Sequence, residues 1–308
     1  MNRLLMCCAF IFFLSTVSRG EQVRVFILAG QSNMQGHGKI AAEDRSNGGK
    51  GSLEWLARNT GTASKYSSLL DQQGKWAERE DVQIVYLDRK GNLSPGFGHR
   101  DGYIGPELGF GQVVGDAFDT PVLLIKVAWG GKSLAIDFRP PSAGGDVGPY
   151  YKELLQLTRT TLRDAKTLFP QYADCKFELA GFGWHQGWND RVNQAFNDAY
   201  EQNMICFIND IRKDLNAPNL PFVIAETGMS GWEEKHPRAV SLMKAQKAAA
   251  EKPEFRGNVE FVGTKDFYRP KESSPSGQAY HWNNNAETYY LIGEGMGQSM
   301  LRLINQRK

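Results

Sequence analysis

Ser32 stands in Gly30-Gln31-Ser32-Asn33-Met34, directly after the apolar run QVRVFILAG. With Gly30 permitting a tight turn and the following residues opening a helix, a serine there presents its hydroxyl to a cleft, and backbone N–H groups face a developing oxyanion. The same position also suits an ordinary helix-capping serine. A second candidate is Ala128-Trp129-Gly130-Gly131-Lys132-Ser133, again past an apolar run, where paired glycines let backbone N–H groups approach a ligand or form a plain turn. The third, Trp184-His185-Gln186-Gly187-Trp188-Asn189-Asp190, packs two tryptophans, a histidine, two amides and a carboxylate into seven residues. That density suits gripping a sugar ring and orienting an acyl carbonyl, or a tight loop around buried tryptophans. The fourth is His281 in Gly277-Gln278-Ala279-Tyr280-His281-Trp282-Asn283, just ahead of a terminal helical pattern, where an imidazole can meet a nucleophile from across a cleft. His37, His99 and His236 lie in polar stretches without comparable context, which leaves His185 and His281 as the candidate histidines.

These groups must be positioned by the elements around them. Apolar runs at 22–30, 82–87, 121–131, 177–187, 221–228 and 259–264 each end in glycine or polar residues, as buried parallel strands do. Helical spacing at 107–118, 149–168, 194–214, 236–251 and 286–305 alternates with them. The alternation predicts an α/β fold, a three-layer α/β/α sandwich around a parallel sheet, with ligands bound beyond the carboxyl ends of the strands. The polar, glycine-bearing stretches 36–79 and 136–148 are expected as long loops or small helical excursions near the substrate side, the first equally as a tolerated surface insertion. No internal repeat or low-complexity tract is present.

The chain has 308 residues, 41% hydrophobic and 23% charged, which is ordinary for a globular enzyme. Lys and Arg number 36 against 34 Asp and Glu, with no block of like charge, so nucleic acid is not an expected partner. Residues 1–20 carry Arg3, an apolar stretch from Leu4 to Leu14, and small or polar residues up to Gly20, the form of a signal peptide too short to span a bilayer. Its removal takes Cys7 and Cys8 and leaves acids and bases equal in number. The expectation is one domain over 21–308, secreted or periplasmic, with no membrane association after processing. Cys175 and Cys206 remain, either joined in an oxidising compartment or left as two buried thiols, and their spacing suits no zinc motif.

The ordered blocks FILAGQSNMQGHG, GPELGFG, LLIKVAWGGKSL and GFGWHQGWND resemble the SGNH-hydrolase superfamily, in particular the branch of sialate O-acetylesterases and acetylxylan esterases. The resemblance spans roughly residues 24–297. It implies a three-layer fold and a serine ester hydrolase with no metal or organic cofactor, acting on an acetylated carbohydrate. Ser32 would be the nucleophile and His281 its base. The oxyanion would be held by the N–H groups of Ser32 and Gly131 and by a side-chain amide, Gln186 ahead of Asn189, with Gln31, His185 and Trp188 as substrate contacts.

The resemblance departs from the pattern at the acid. In that branch the histidine's carboxylate comes either directly after the WHQG motif or three residues before the histidine, and here those positions hold Trp188 and Gln278. Asp190 is the expected substitute, because Gly187-Trp188-Asn189-Asp190 also has the form of the superfamily's glycine, any residue, Asn, Asp block. Glu226 comes second, and a Ser–His pair oriented by a backbone or amide group third. Two other functions stay open: a carbohydrate-binding protein on the same fold without catalysis, and an esterase for lipid or other acyl groups.

Overall fold

A computed structural model describes residues 22–43 and 47–306, so the leader expected at 1–20 lies outside the described residues. The strands are β1 (Gln22–Gly30), β2 (Gly38–Lys39), β3 (Arg79–Tyr86), β4 (Arg89–Leu93), β5 (Tyr103–Ile104), β6 (Val122–Ala128), β7 (Lys176–His185), β8 (Phe222–Ala225) and β9 (Val259–Val262). Seven form one sheet in the order β4-β3-β6-β1-β7-β8-β9, and β2 pairs with β5 apart from it. All neighbours in the large sheet are parallel except β3 and β4. The predicted strands are therefore all present. The additional edge strand β4, RKGNL, has neither the apolar run nor the alternation that would mark it, because only one of its edges is paired.

The parallel strands are apolar along their length because both faces are covered. Along β1, Val23, Val25, Ile27 and Ala29 join one core and Phe26 and Leu28 the other. The first core is closed by the helices Pro149–Leu168, Tyr200–Asp214 and Pro237–Ala250, through residues such as Leu154, Phe207 and Leu242. The second is closed by Pro106–Ala117 and Ala286–Asn305, through Leu108, Phe110, Tyr289 and Met296. This is the three-layer α/β/α sandwich expected. The 194–214 helix is broken into Gln194–Asp198 and Tyr200–Asp214, and short helices such as Leu53–Arg58 occupy the 36–79 stretch. Cys175 and Cys206 are both buried, and neither is in a disulfide. No helix among the described residues is long and apolar enough to cross a membrane.

The chain runs from β1 to β3 and β6 on one side of β1, then returns to β7, β8 and β9 on the other. The carboxyl ends of β6, β1 and β7 therefore lie side by side where the strand order reverses, with Gly30 opposite both Ala128 and His185. In open α/β sheets that is where ligands bind.

Candidate active site

Gly30 ends β1 at a φ of +154°, and a Cβ there would lie 2.2 Å from the His185 carbonyl oxygen. Only glycine lets the β1 and β7 ends approach so closely. The chain then turns into the short helix Ser32–Gln35, closed by the Met34 and Gln35 amides donating to the Gln31 carbonyl. Gln31, not Ser32, is the residue at the cap. Ser32 is the first helical residue and half-buried, its amide one of the donors a helix start leaves without an internal acceptor. A Cβ on Gly130 would lie 3.8 Å from the Ser32 Cβ, so the glycine turn abuts the serine. Gly131 follows at a φ of +70°, and a Cβ there would meet nothing within 4 Å.

Hydrogen bonds lace the three strand ends together. Gln31 Oε1 accepts from the amides of Gly187 (3.1 Å) and Asn189 (3.3 Å), and Gln31 Nε2 donates to Asn189 Oδ1 at 3.4 Å. Asn189 is half-buried, and its Nδ2 donates to the Gly131 carbonyl at 2.7 Å, leaving its second hydrogen uncommitted. Gln186 is the opposite case. Its Nε2 donates to the Lys132 carbonyl (3.0 Å) and to Asp190 Oδ2 (2.6 Å), and its Oε1 accepts from the Tyr200 hydroxyl (3.1 Å). Both hydrogens of Gln186 are thus spent inside the protein, which leaves none for an oxyanion.

Asp190 is fully buried, and its carboxylate accepts from the amides of Leu134 (2.8 Å) and Ala135 (2.9 Å) as well as from Gln186. Burial raises its pKa to about 6, against the lowering effect of these donors. Its contacts therefore anchor the loop after Gly131 and do not reach His281. Glu226 is equally occupied, accepting from the Thr264 amide at 3.0 Å and pairing with Lys265 Nζ at 3.3 Å. None of these bonds runs from Asp190 or Glu226 to His281, the contact expected of one or other acid. Gln31 and His185, expected as substrate contacts, are both buried, and His185 sits beneath the turn with Nδ1 against the Ala225 carbonyl at 3.3 Å. Burial lowers its pKa to about 4, keeping it neutral.

Trp188 is half-buried at the cleft, with the Arg191 guanidinium 3.7 Å over its ring and the Tyr280 ring 5.7 Å away. Tyr280, 42% exposed, was not among the residues picked out in the sequence, although it adjoins His281.

His281 lies in a short 3-10 segment, Ala279–Asn284, broken by three successive residues in the left-handed region: Trp282 (φ 50°), Asn283 (φ 55°) and Asn284 (φ 56°). A bulky residue there costs roughly 1–2 kcal/mol. The loop is held in place by burial of Trp282 and by Asn283 Nδ2 on the Arg269 carbonyl (3.0 Å) and Asn284 Nδ2 on the His37 carbonyl (3.0 Å). Asn33 Nδ2 donates to the Tyr280 carbonyl at 3.2 Å, so the residue after Ser32 is bonded directly to the residue before His281. The serine turn and the histidine loop therefore meet at the same end of the sheet.

The imidazole of His281 is stacked on His37, with ring centres 3.7 Å apart and planes 10° from parallel, and His37 is stacked in turn on His99 at 3.9 Å and 14°. His99 Nδ1 lies 3.1 Å from the Gly36 carbonyl. His37 and His99, set aside in the sequence for lack of context, are thus brought onto the candidate base. The two-residue ladder β2–β5, pairing Gly38 with Ile104 and Lys39 with Tyr103, draws their segments together. Among the described residues no cluster of three or more His, Cys, Asp or Glu is arranged to hold a metal ion. Burial and the neighbouring His99 lower the His281 pKa to about 4. Burial, His281 and His99 lower that of His37 to about 2.

Beneath the stack, Lys126 near the end of β6 spends all three ammonium hydrogens, on Glu107 Oε2 (2.7 Å), the Gln35 carbonyl (2.7 Å) and the Phe97 carbonyl (2.6 Å). Glu107 also accepts from the Gly105 amide at 2.7 Å. This buried pair fastens the end of the helix Ser32–Gln35 to the helix Pro106–Ala117.

The fold is α/β, with a serine-bearing turn at the strand-order switch. Residues 22–302 match the family described as carbohydrate esterase, sialic acid-specific acetylesterase, and the chain belongs to that family. Membership places it among the carbohydrate esterases. A protein of Arabidopsis thaliana named probable carbohydrate esterase is 24% identical over 215 residues, 69% of this chain and 72% of that protein. Its crystal structure superposes with a TM-score of 0.58 at 17% identity, covering 91% of this chain and 98% of that one. The crystal structure of a carbohydrate acetylesterase from Xanthomonas citri gives a TM-score of 0.53 at 12% identity, over 89% of this chain and 56% of that one. At these identities the likeness speaks for the shared fold.

Proposed function

We propose that the protein is a serine-dependent carbohydrate O-acetylesterase. Ser32 Oγ attacks the acetyl carbonyl carbon while His281 takes its proton. The bond to the sugar oxygen then breaks, that oxygen receives the proton from His281, and acetyl-Ser32 is left. Water, deprotonated by the same imidazole, attacks the acyl carbon of acetyl-Ser32, the bond to Ser32 Oγ breaks to release acetate, and Ser32 Oγ takes the proton back from His281. The negative oxygen formed in each half is held by the N–H groups of Ser32 and Gly131 and by Asn189 Nδ2, which takes the amide role in place of Gln186 because it alone keeps a hydrogen at the surface. Trp188 and Tyr280 form the flanking aromatic faces on which a sugar ring can lie.

The observation that carries this reading is the hydrogen bond from Asn33 to the Tyr280 carbonyl, which ties the serine turn to the histidine loop across 247 residues of sequence. Acetate release from acetylated xylan, O-acetylated sialic acid and 4-nitrophenyl acetate tests it. Ser32→Ala and His281→Ala are each expected to lower kcat by at least about a thousandfold with the thermal melt retained. Full activity in either variant ends the proposal. The second reading, a carbohydrate-binding protein without catalysis, draws on the lack of any carboxylate contact to His281. An organophosphate ester separates the two, since covalent labelling of Ser32 requires an activated hydroxyl.

A further inference from the structure

We propose that His37 is a positioning residue for His281, its ring face doing what a carboxylate does in a Ser–His–acid triad: holding the plane of the base imidazole. The proposal rests on the esterase reading above. Three observations carry it. The positions at which the resembling branch places its acid hold Trp188 and Gln278, while Asp190 and Glu226 are bound elsewhere. The His281 ring instead lies flat on His37 at 3.7 Å, and His37 is backed at 3.9 Å by His99, which Tyr103 packs edge-on at 4.3 Å. The base's loop is also fastened to the same residue, through Asn284 Nδ2 on the His37 carbonyl. His37 is therefore gripped between two rings and bonded to the loop it supports.

A stack and a carboxylate do different work. A carboxylate fixes both the ring plane and the tautomer, and stabilises the imidazolium. A stacked neutral ring fixes the plane and leaves both nitrogens of His281 free at the ring edge, but it offers a positive charge nothing. The surroundings reinforce this: the groups facing the stack are Lys126 (paired with Glu107), Arg100 and Arg89, with Tyr103, Tyr280 and Tyr289 around it. The arrangement keeps His281 a neutral acceptor down to mildly acidic pH.

The test measures kcat, KM and the pH profile of 4-nitrophenyl acetate hydrolysis for the full chain and for His37→Ala, His37→Phe and His281→Ala, with thermal melts. His37→Ala is expected to lower kcat by about 30-fold with KM within about threefold, the size of effect a misplaced catalytic group produces. Its acidic limb in kcat/KM moves up toward pH 6.5, because water then reaches the exposed ring face. His37→Phe, which keeps a flat face without a nitrogen, restores kcat to within about threefold of the parent. Should the alanine variant not fold, His37→Leu fills the space without a flat face and shows the same loss. An inactive His281→Ala beside a His37→Ala that matches the parent in kcat and acidic limb overturns the stacking role alone. A His37→Phe as poor as His37→Ala overturns it as well. Full activity in His281→Ala overturns the esterase reading and this proposal together.

Discussion

The two sides of the site are built by different physics. On the serine side, Gln31, Asn189, Gln186 and Asp190 form a mesh of hydrogen bonds joining three strand ends, most of it buried. On the histidine side, His281 is held by ring stacking, a left-handed run of backbone and two amide-to-carbonyl bonds. The first side leaves buried polar groups no room to move, since any lost partner costs its desolvation. The second fixes a plane and tolerates change in the rings that supply it. One side of the site is thus held by hydrogen bonding and the other chiefly by ring stacking.

The largest effect that separates the two amides of the serine side is expected at Asn189. Asn189→Ala lowers kcat by about 10²–10³ with little change in stability, as loss of one oxyanion donor does, whereas Gln186→Ala acts mainly on the melt, leaving Lys132, Asp190 and Tyr200 short of a partner. Steady-state kinetics beside thermal melts would reverse the assignment if Gln186→Ala alone lost kcat.

A smaller effect is expected at Asp190. Asp190→Asn keeps the shape but loses acceptor capacity at the Leu134 and Ala135 amides, at a cost of about 2 kcal/mol in chemical denaturation and less than about tenfold in kcat. A drop near 10⁴ in kcat with unaltered stability would return Asp190 to the role of triad acid.

The smallest effect lies in the pH dependence of stability. His37, His185 and His281 have folded pKa values of about 2, 4 and 4, below the unfolded 6.5, so the stability they contribute is present above pH 6.5 and lost as pH falls toward 4. Asp190, raised from 3.8 to about 6, acts in the opposite sense between those values, one group against four, since burial lowers the His99 pKa as well. The melting temperature is expected to fall by about 5 °C between pH 7 and 4.5, and less steeply in His37→Phe, which has nothing to protonate at that position. An equal slope in both proteins would show that the stack does not titrate on unfolding.

Much of the molecule was legible in the sequence because the information is local. Continuous apolar runs ending in glycine specify buried parallel strands, and a serine or a glycine pair at such an end reports its own position at the rim of the sheet. The serine turn, the glycine turn and the Trp-His-Gln block were found in this way, as were the layers and the long helices. The tertiary structure decided what depends on which way a side chain faces and on what arrives from far along the chain. Gln186 and Asn189 are three residues apart and chemically alike, yet one is turned into the core onto Tyr200 and the other stays at the surface. His37 and His99 looked unremarkable in polar stretches because the ladder that unites them is two residues long, too short to leave a period. A hydrogen-bond partner or a stacked ring is a property of distance in space, and only the folded chain brings such positions within reach of one another.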